Sequence, residues 1–466
     1  MTAVEDAGTD AQVDRAASGE LRVPPGPPRS ATFKLLSQLR SDRLTLMSTA
    51  ADTYGDAVKV GIGPKTLYFF NHPDTAKHVL ADNAANYDKG IGYQEAKRAL
   101  GDGLLTSAGE LWRKQRRTIQ PVFQAKRISG LAGVVAEEAG ELVGRLRGHA
   151  GGGPVDVLTE MTGFTLGVLG RTLLDADLGA FDSIGHSFES VQDQAMFEME
   201  TMGMVPQWLP LRQQREFRKA RADLQGIVDQ LVADRLADPR PDGDDVLTRL
   251  IQSTSQEDDP KVGARRMRDE LITLLLAGHE TTASTLGWSL HLIDQHPEVG
   301  ERLRAEAVSV LGDRLPTIED LDKLRYTAMV LHESMRLFPP VWILTRRALA
   351  DDVVGGYRVP AGADVMVCPY TLHRHPSFWD RPTEFDPERF DPAKPADRPR
   401  YAYIPFGAGP RFCVGNHLGL MEATFVLAMI ARELRLEKVP GYEVVPEPML
   451  SLRVKGELPM TVHRAG

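Results

Sequence analysis

The sequence predicts a mainly helical protein with a small β subdomain. Apolar residues recur at helical spacing over residues 265–295 and again after residue 416, which predicts two long helices. Apolar and polar residues alternate over residues 57–70, which predicts a β-hairpin. Shorter strands are predicted at 357–359, 364–368 and 451–462. A helix is also expected from about residue 319 to the proline pair at 339 and 340.

The composition of the chain argues against several classes of protein. The 466 residues include 55 Lys and Arg against 64 Asp and Glu, a net charge of −9, which argues against a nucleic-acid-binding protein. Cys368 and Cys413 are the only cysteines, so a disulfide framework is excluded and a reducing, cytoplasmic location is favoured. No apolar run approaches the roughly 18–20 residues that span a bilayer.

The chain is expected to form one large domain. Residues 1–22 are polar and lack the apolar segment of a signal peptide, so a flexible tail is predicted there. A stiff proline-rich segment follows at residues 23–28, and later breaks are short loops, so residues 23–466 are predicted to be a single domain. We therefore expect a soluble, cytoplasmic protein with no membrane anchor.

The segment Phe406-Gly407-Ala-Gly-Pro-Arg411-Phe-Cys413-Val-Gly415 carries a candidate metal ligand. Glycine and proline place Cys413 in a loop just before a helix N-terminus, where the positive dipole end is expected to lower the thiol pKa. Gly409 and Gly415 are expected to let the backbone approach a flat, bulky group, and Arg411 can bind a carboxylate. A lone cysteine beside an apolar helix is most often buried and inert, so the whole pattern indicates ligation.

The long helix contains Ala277-Gly-His-Glu280-Thr281 at its middle. The Thr281 hydroxyl can hydrogen-bond the carbonyl of Ala277 and open the helix locally. Gly278 is expected to leave room for a small molecule, and Glu280 to relay protons. An ordinary core helix with an incidental threonine is the alternative. The zinc-protease motif H-E-x-x-H is excluded because its second histidine is replaced by Ala283.

These motifs together resemble those of the cytochrome P-450 family. The segment ending at Gly415 has the pattern F-x-x-G-x-R-x-C-x-G of its haem-binding loop, and A-G-x-x-T is similar to its central-helix motif. Three further motifs occur in the family's order: Trp112-x-x-x-Arg116, Glu333-x-x-Arg336 and Pro387-Glu-Arg389-Phe390. The resemblance implies the cytochrome P-450 fold, with haem b between the long central helix and the helix that follows the cysteine.

The resemblance also implies roles for individual residues. Cys413 is expected to be the axial ligand of the haem iron, and Thr281 and Glu280 to be catalytic. Glu333, Arg336 and Arg389 are expected to form a buried structural charge triad, although such a pair is often solvated. The remaining residues expected to bind the cofactor are Trp112, Arg116, Ala277, Arg346, Phe406, Gly407, Arg411 and Gly415. Because Arg347 is the next residue, the sequence leaves open by one position which of the two arginines binds the cofactor.

The implied activity is hydroxylation or epoxidation of a lipophilic small molecule by O2, as in secondary metabolism. A terpenoid, fatty acyl chain or polyketide is expected, in a pocket that includes Leu274, Ala277, Val341, Trp342, Ile343, Met449 and Leu450 and part of the segment 87–93. Methionines at 196, 199, 202 and 204, with Phe197, fall where the family has its entry lid; ordinary helix packing is the alternative. The residues of the central-helix motif, A-G-H-E-T-T at 277–282, are most similar to those of the fatty-acid-hydroxylase-like branch of the family.

Electrons are expected from a separate ferredoxin or flavodoxin with its reductase, because this chain has no flavin or reductase domain. Six basic and no acidic residues at 111–127 are consistent with a docking site, or with a solvated helix face. The alternatives are a peroxide-driven haem-thiolate enzyme and a non-enzymatic haem-binding or electron-transfer protein. The first is disfavoured because Glu280 and Thr281 are both present, and the second because nothing near Ala277 could be a second axial ligand.

Overall fold

The computed structural model describes residues 21–465, apart from 63–64, 181–183, 202, 241–242, 244 and 395–396. All but the last two residues of the expected tail 1–22 thus lie outside the described residues. The α-helices are α1 Thr32–Ser41, α2 Arg43–Tyr54, α3 Pro73–Lys77, α4 Tyr93–Leu100, α5 Gly109–Ile119, α6 Ala125–Ser129, α7 Ala132–Gly148, α8 Val157–Leu169, α9 Ile184–Glu200, α10 Arg212–Ala237, α11 Val246–Thr254, α12 Pro260–Gln295, α13 Pro297–Leu311, α14 Arg325–Leu337, α15 Pro369–Leu372 and α16 Asn416–Glu433.

The β-strands are short, and all those described except β4 lie within residues 57–89 or 344–464. They are β1 Ala57–Ile62, β2 Lys65–Phe70, β3 Tyr87–Lys89, β4 Val155–Asp156, β5 Leu344–Ala348, β6 Asp352–Val354, β7 Tyr357–Val359, β8 Asp364–Val367, β9 Leu434–Lys438, β10 Pro446–Pro448, β11 Leu452–Val454 and β12 Pro459–Arg464. The prediction of a mainly helical protein with a small sheet subdomain is confirmed.

The largest sheet has five strands in the order β1-β2-β8-β5-β3. The predicted hairpin is its edge, with Ala57 opposite Phe70, and only the β2–β8 pair is parallel. Side chains alternate across β2, so Tyr68 and Phe70 enter one apolar cluster while Leu67 and Phe69 enter another. The far edge pairs β3 with β5, which sets Lys89 directly opposite Arg346.

Three element boundaries differ from the sequence prediction. Helix α12 begins at Pro260 rather than at 265, because the Asp259 side chain accepts a hydrogen bond from the Lys261 N–H and proline fits the first turn. Helix α14 begins at Arg325 rather than near 319, after a 3-10 turn, and Glu306 of α13 accepts its first N–H groups. The segment 451–462 forms two strands, β11 and part of β12, not one.

Helix α12 runs through the main core, where it packs against α8, α11, α14 and α16. Near its C-terminal end the Trp288 ring stacks on Phe338 with centroids 3.8 Å apart, and its indole N–H donates to the Leu452 carbonyl at 3.0 Å. These contacts tie α12 to β11 and fix its middle turns relative to the segment 449–451. No helix in the described part of the chain is long and apolar enough to cross a membrane.

A buried charge triad joins α14 to the loop after α15. The Arg336 guanidinium makes two hydrogen bonds of 2.7 Å to the two Glu333 carboxylate oxygens, and Arg389 Nε donates to the same carboxylate at 3.3 Å. Arg336 also donates to the backbone carbonyls of Pro382 and Glu384. Groups of the chain itself therefore act as partners for these charges. The alternative, in which Glu333 and Arg336 form a solvated pair at the surface, is wrong.

Candidate functional site

A cavity of about 1240 Å³ lies between the middle of α12, the cysteine loop with the start of α16, the β3–β5 edge and helices α1 and α2. Ligand pockets commonly measure about 300–1,000 Å³. This cavity is larger, so it has room for a bulky group and a second small molecule together.

Cys413 lines this cavity from the loop before α16, three residues ahead of the first residue of that helix. Its backbone N–H donates to the Phe406 carbonyl at 3.0 Å, and the Phe412 N–H donates to Gly409 at 3.0 Å, which fixes the loop. Gly409 has φ +66°, and a Cβ there would lie 1.9 Å from the Leu80 carbonyl oxygen. Gly409 is therefore needed for packing within the chain, not for approach to a bound group as predicted, whereas Gly415 does line the cavity.

The predicted lowering of the Cys413 pKa is wrong for the free thiol. Cys413 is exposed at the cavity wall, but desolvation by the protein around its sulfur raises the pKa of the thiol, and the Gly415 N–H and the charge of Arg116 only partly oppose this. The helix-dipole argument considered the loop alone and left out desolvation by the surrounding protein. A cation bound to the sulfur is what would favour the thiolate at this position.

The middle of α12 forms another wall of the cavity, through Leu274, Ala277, Thr281 and neighbouring residues. The Thr281 hydroxyl donates to the Ala277 carbonyl at 2.9 Å, as predicted, but the helix is continuous through this turn and does not open. A Cβ on Gly278 would lie 2.8 Å from the Leu169 side chain. Leu169 thus occupies much of the room that the glycine was expected to leave for a small molecule.

Glu280 does not line the cavity. Its carboxylate accepts a hydrogen bond of 2.7 Å from the Ser451 hydroxyl, in the segment just before β11. Burial raises the pKa of Glu280, while hydrogen bonding to Ser451 and the charge of Arg453 lower it. The carboxyl group is therefore held on the side of α12 that leads toward Arg453 and its surface partner Glu447.

Three cations converge at the β3–β5 edge of the cavity: Lys89, Arg346 and Arg411. Lys89 and Arg346 are cross-strand partners, and like charges placed directly opposite destabilise a sheet. Burial lowers the pKa of all three, to about 10 for Arg411, and their mutual repulsion lowers those of Lys89 and Arg411 further. Asp88 forms an ion pair of 3.7 Å with Arg411, and its charge offsets only part of the effect of burial on the pKa values of the three cations. Such a cluster requires an anionic partner.

The structure decides between the two neighbouring arginines of β5. Arg346 is buried and lines the cavity, whereas Arg347 makes two hydrogen bonds to Asp364, of 2.9 and 3.1 Å. Trp112 and Arg116 do not line the cavity. The Arg411 guanidinium lies 4.5 Å from the centre of the Trp112 ring, and Arg116 donates to the Phe412 carbonyl at 2.8 Å. The geometry therefore indicates that Trp112 supports Arg411 and that Arg116 supports the cysteine loop.

The remaining predicted residues are placed as follows. Phe406, Gly407, Val341, Trp342, Ile343, Met449 and Leu450 all line the cavity, as do Met196, Phe197 and Met199 of α9. From the segment 87–93, Lys89, Ile91, Gly92 and Tyr93 line it. Met204 does not and is 70% exposed, and Met202 lies outside the described residues.

The residues present fit a haem. A thiol for the iron, three buried or half-buried cations for two propionates and apolar walls for the porphyrin meet in one cavity. Among the described residues no group of three or more His, Cys, Asp or Glu could hold a metal ion directly.

Comparison with known proteins decides the family. A family model described as Cytochrome P-450 matches residues 24–462. The chain belongs to the cytochrome P-450 family. Cyclooctatin synthase of Streptomyces melanosporofaciens is 37% identical over 403 residues, covering 86% of this chain and 87% of that one. Cyclooctat-9-en-7-ol 5-monooxygenase of the same organism is 36% identical, with coverages of 83% and 84%. Protein LUTEIN DEFICIENT 5, chloroplastic, of Arabidopsis thaliana is 31% identical, covering 84% and 68%.

Family membership establishes the class of activity. This cytochrome P-450 is a monooxygenase, an oxidoreductase that uses O2, and the non-enzymatic alternative is wrong. The family also implies a haem cofactor, a lipophilic substrate and a redox partner.

Sequence reasoning missed two residues of this P-450 site. Lys89 adds a third buried cation, but a lone lysine in the short segment Tyr87-Asp-Lys89 carries no signal until the sheet sets it opposite Arg346. Glu422 lines the cavity from α16, where burial raises its pKa well above the usual range. Its position inside an apolar helix face was a detectable signal, because an unpaired carboxyl is rarely buried there.

Proposed function

We propose that this cytochrome P-450 binds haem b through Cys413 and hydroxylates or epoxidises a terpenoid, most simply a cyclic one with few polar groups. The observation that carries the proposal is the distribution of charge in the cavity. The cations Lys89, Arg346 and Arg411 converge at one edge, whereas the middle of α12 and the segments 341–343 and 449–450 present apolar side chains. One part of the cavity thus suits the propionates and the other suits a hydrocarbon.

The substrate class is supported by the character of the lining. Leu274, Val341, Ile343, Met449 and Leu450 offer dispersion contacts and no charged anchor. The names of two relatives, cyclooctatin synthase and cyclooctat-9-en-7-ol 5-monooxygenase, point to related cyclic compounds as substrates. A compound of this kind gains affinity from burial of apolar surface, so its shape, not an ion pair, is expected to set its orientation.

When bound, the thiolate-ligated haem supplies the chemistry that inserts one oxygen atom of O2 into the substrate. The chain's own residues orient the substrate and move protons. Thr281 presents its hydroxyl at the cavity wall, and its bond to the Ala277 carbonyl sets its rotamer. While its proton is donated to Ala277, the hydroxyl oxygen can accept a hydrogen bond from the cavity, and the proton becomes available to the cavity when the bond to Ala277 breaks. Glu280 and Ser451 are proposed to pass protons from the Arg453 side of α12 toward Thr281.

A ferredoxin or flavodoxin with its reductase is the proposed electron donor. In the stretch 111–127, Arg113 pairs with Glu110 and Lys114 with Glu257, so these two cations are partly neutralised. Arg117 and Lys126 remain exposed, and Arg116 reaches the cysteine loop. An acidic partner is expected to dock against this group, with association that weakens as salt increases.

The substrate class is tested by titrating the purified haem protein with cyclic terpene alcohols, free fatty acids and macrolide polyketides. Displacement of water from the ferric haem changes its spin state and absorption spectrum. The proposal predicts saturable changes with the terpene alcohols at concentrations where the others give none. A response confined to fatty acids or to polyketides would contradict the terpenoid assignment and leave the monooxygenase class intact.

The proton-handling role is tested by Thr281→Ala, with Thr281→Ser as the matched control. The alanine variant is expected to keep its haem and still bind substrate, while most electrons taken from NAD(P)H appear as hydrogen peroxide, because the hydroxyl at the cavity wall is lost. The serine variant keeps a hydroxyl and is expected to stay largely coupled. Product formed per NAD(P)H is the measurement, and equal coupling in wild type and Thr281→Ala would contradict the role. Efficient turnover with hydrogen peroxide alone would favour the peroxide-driven alternative.

A further inference from the structure

The chain between α4 and α5, residues 101–107 and called here the 101–107 segment, packs against the first half of α12. The Asp269 carboxylate accepts a hydrogen bond of 2.9 Å from the Asp102 N–H. The next residue of the helix, Glu270, accepts one of 2.9 Å from the Leu104 N–H. Two consecutive side chains of α12 therefore hold the segment by its backbone.

The contact leaves polar atoms of α12 without partners. Glu270 is 2% exposed and Thr273 is 3% exposed, and Glu270 Oε1 and Thr273 Oγ1 make no hydrogen bond to any part of the chain that the structure describes. A Cβ on Gly103 would lie 2.1 Å from Thr273 Oγ1, so the backbone of the segment covers this side of the helix closely. A buried carboxylate with an unpartnered oxygen is costly. The closed contact therefore suits a neutral Glu270.

The charges near Glu270 also oppose its ionisation. Burial raises the pKa of Glu270 to about 8, and the charges of Asp269 and Asp102 contribute to the increase. The cations of the neighbouring elements act on these two carboxylates instead: Lys97 of α4, which pairs with Asp102 at 2.7 Å, Arg221 of α10 and Arg265 of α12. Among the described residues Glu270 has no ion pair of its own.

The 101–107 segment also reaches the cation cluster of the cavity. Arg411 donates a hydrogen bond of 3.1 Å to the Ser107 carbonyl, and Leu105 lines the cavity. Gln115 of α5 donates to a backbone carbonyl of the same segment, at 2.7 Å. A change in how the segment packs on α12 would therefore alter the support of Arg411 and the wall of the cavity.

We propose that Glu270 is a positioning residue whose proton controls how firmly the 101–107 segment closes on α12. With the proton bound, the segment is closed and supports Arg411 and the cavity wall. Loss of the proton adds a negative charge beside two carboxylates, and the segment opens so that water can hydrate it. The opening does not depend on which substrate the site oxidises, so its failure would leave the proposed function intact.

The direction of the pH effect follows from the proton balance of the two forms. In the open form water reaches Glu270, so its pKa returns toward the ordinary value of 4.5, whereas in the closed form it is about 8. Between these values the closed form holds a proton that the open form has lost, so rising pH favours opening. The equilibrium constant for opening is expected to increase about fivefold to tenfold between pH 6 and pH 7 and to level off above about pH 8.

Hydrogen–deuterium exchange of the full-length haem protein tests the proposal, with the backbone amides of residues 102–107 as reporters. Each rate is compared with the intrinsic rate at the same pH, which gives a protection factor. Wild type is expected to lose about fivefold to tenfold of this protection between pH 6 and pH 7. Glu270→Gln keeps an acceptor for Leu104 and cannot ionise, so its protection should stay constant. Equal pH dependence in wild type and Glu270→Gln would overturn the proposal.

Glu306→Gln is the matched control. Glu306 also accepts backbone N–H groups from another element, those of Tyr326 and Thr327, but lies far along the chain from the 101–107 segment. The exchange of residues 102–107 in this variant should follow that of wild type at every pH. A loss of the pH dependence in Glu306→Gln as well as in Glu270→Gln would show that the effect is not specific to Glu270 and would overturn the proposal.

The amides of α14 separate opening of the segment from unfolding of the whole chain. Because global unfolding also exposes Glu270, the 101–107 segment must exchange at least about tenfold faster than α14 in wild type. Equal protection in the two regions would show that the segment does not open by itself, which would contradict the proposal.

Asp269→Asn tests the charge component and keeps the proposal falsifiable if Glu270→Gln fails to fold. The substitution removes one of the two charges that raise the pKa of Glu270, so the loss of protection should level off at a lower pH than in wild type. An unchanged pH profile would count against the proposal.

The effect on the cavity is measured by transfer of haem to an excess of a haem-accepting protein. Between pH 6 and pH 8 the transfer rate should rise several-fold more for wild type than for Glu270→Gln, because opening of the segment withdraws the Ser107 carbonyl from Arg411. An equal rise in both proteins would contradict the support of Arg411 that the proposal requires.

Discussion

Two buried clusters of charged residues differ in whether the chain itself supplies partners for the charges. Around Glu333 the charges are balanced by the chain itself, since Arg336 and Arg389 bind its carboxylate and backbone carbonyls take the remaining donors. At the β3–β5 edge, Lys89 and Arg346 face each other across two strands with no carboxylate between them.

The difference separates a structural site from a binding site. Removing charges from water costs several kcal/mol per ion, and this cost is offset only when partners are present. The Glu333 cluster meets that condition in the free chain, so it can stabilise the fold by itself. The Lys89 cluster meets it only in part, through Asp88 near Arg411 and the Tyr93 ring beside Lys89, so an anion that enters the cavity is expected to stabilise this edge.

The largest effect is expected from Glu333→Ala. The substitution leaves Arg336 buried without its carboxylate, which should cost about 3–5 kcal/mol of unfolding free energy. Glu388→Ala is the matched control, because Glu388 also pairs with an arginine, Arg302, but at the surface, where such a pair contributes about 0–1 kcal/mol. Urea denaturation measures both. Equal losses would show that burial does not distinguish the two pairs and would break the comparison.

The next effect is expected from Arg346→Leu. A hydrogen bond to a charged group contributes about 1.5–3 kcal/mol, so transfer of haem to an excess of a haem-accepting protein should become about tenfold to a hundredfold faster. The haem-free protein should be as stable as wild type or more stable, because one of two opposed cations is gone.

Arg347→Gln provides the control for this prediction. Arg347 is the next residue of β5 but binds Asp364 outside the cavity, so haem retention should not change. If Arg346→Leu destabilised the haem-free protein and left haem retention unaltered, the β3–β5 edge would be a structural charge site like the one at Glu333.

The smallest effect is expected from Glu270 of α12. Its buried carboxyl group has no partner cation in the described part of the chain and is accommodated by holding a proton instead. Its carboxyl accepts a hydrogen bond of 2.9 Å from the Leu104 N–H, and burial, followed by the charges of Asp269 and Asp102, raises its pKa to about 8. Between the unfolded pKa, near 4.5, and about 8, the folded state holds a proton that the unfolded state has lost. Stability contributed by this site therefore falls as pH rises through that window and stays low above it.

Glu270→Gln is expected to remove this loss, because glutamine keeps the acceptor for Leu104 and does not ionise. The stability of the variant relative to wild type should increase by about 1–2 kcal/mol between pH 6 and pH 8. Denaturation at several pH values measures the difference. A constant difference across the range would show that Glu270 is already ionised in the folded state at pH 6.

Local patterns predicted much of this structure and three-dimensional contacts decided the rest. The hairpin at 57–70, the helix after Cys413 and the i,i+3 pair of Glu333 and Arg336 depend on spacing, which the sequence displays directly. The start of α14 does not, because Glu306, on another helix, accepts its first N–H groups. Strand register sets Lys89 opposite Arg346, and register is not visible in either strand alone.

The same limit applies to reasoning about single residues. The free Cys413 thiol has a raised pKa because of the protein packed around it, which outweighs the helix end that the sequence shows. Gly278 and Gly409 make room for Leu169 and for the Leu80 carbonyl, two neighbours far away in the sequence. Family membership implies a haem and a redox partner, whereas haem b, the identity of the electron donor and the localisation stay predictions.

The absorption spectrum of the reduced protein with carbon monoxide, for wild type and Cys413→Ala, tests the central claim most directly. A haem held by the Cys413 thiolate with an open opposite side predicts a red-shifted Soret band for wild type, and loss of that band together with most of the haem in the variant. A Cys413→Ala protein that retained haem, the same spectrum and monooxygenase activity would contradict the account.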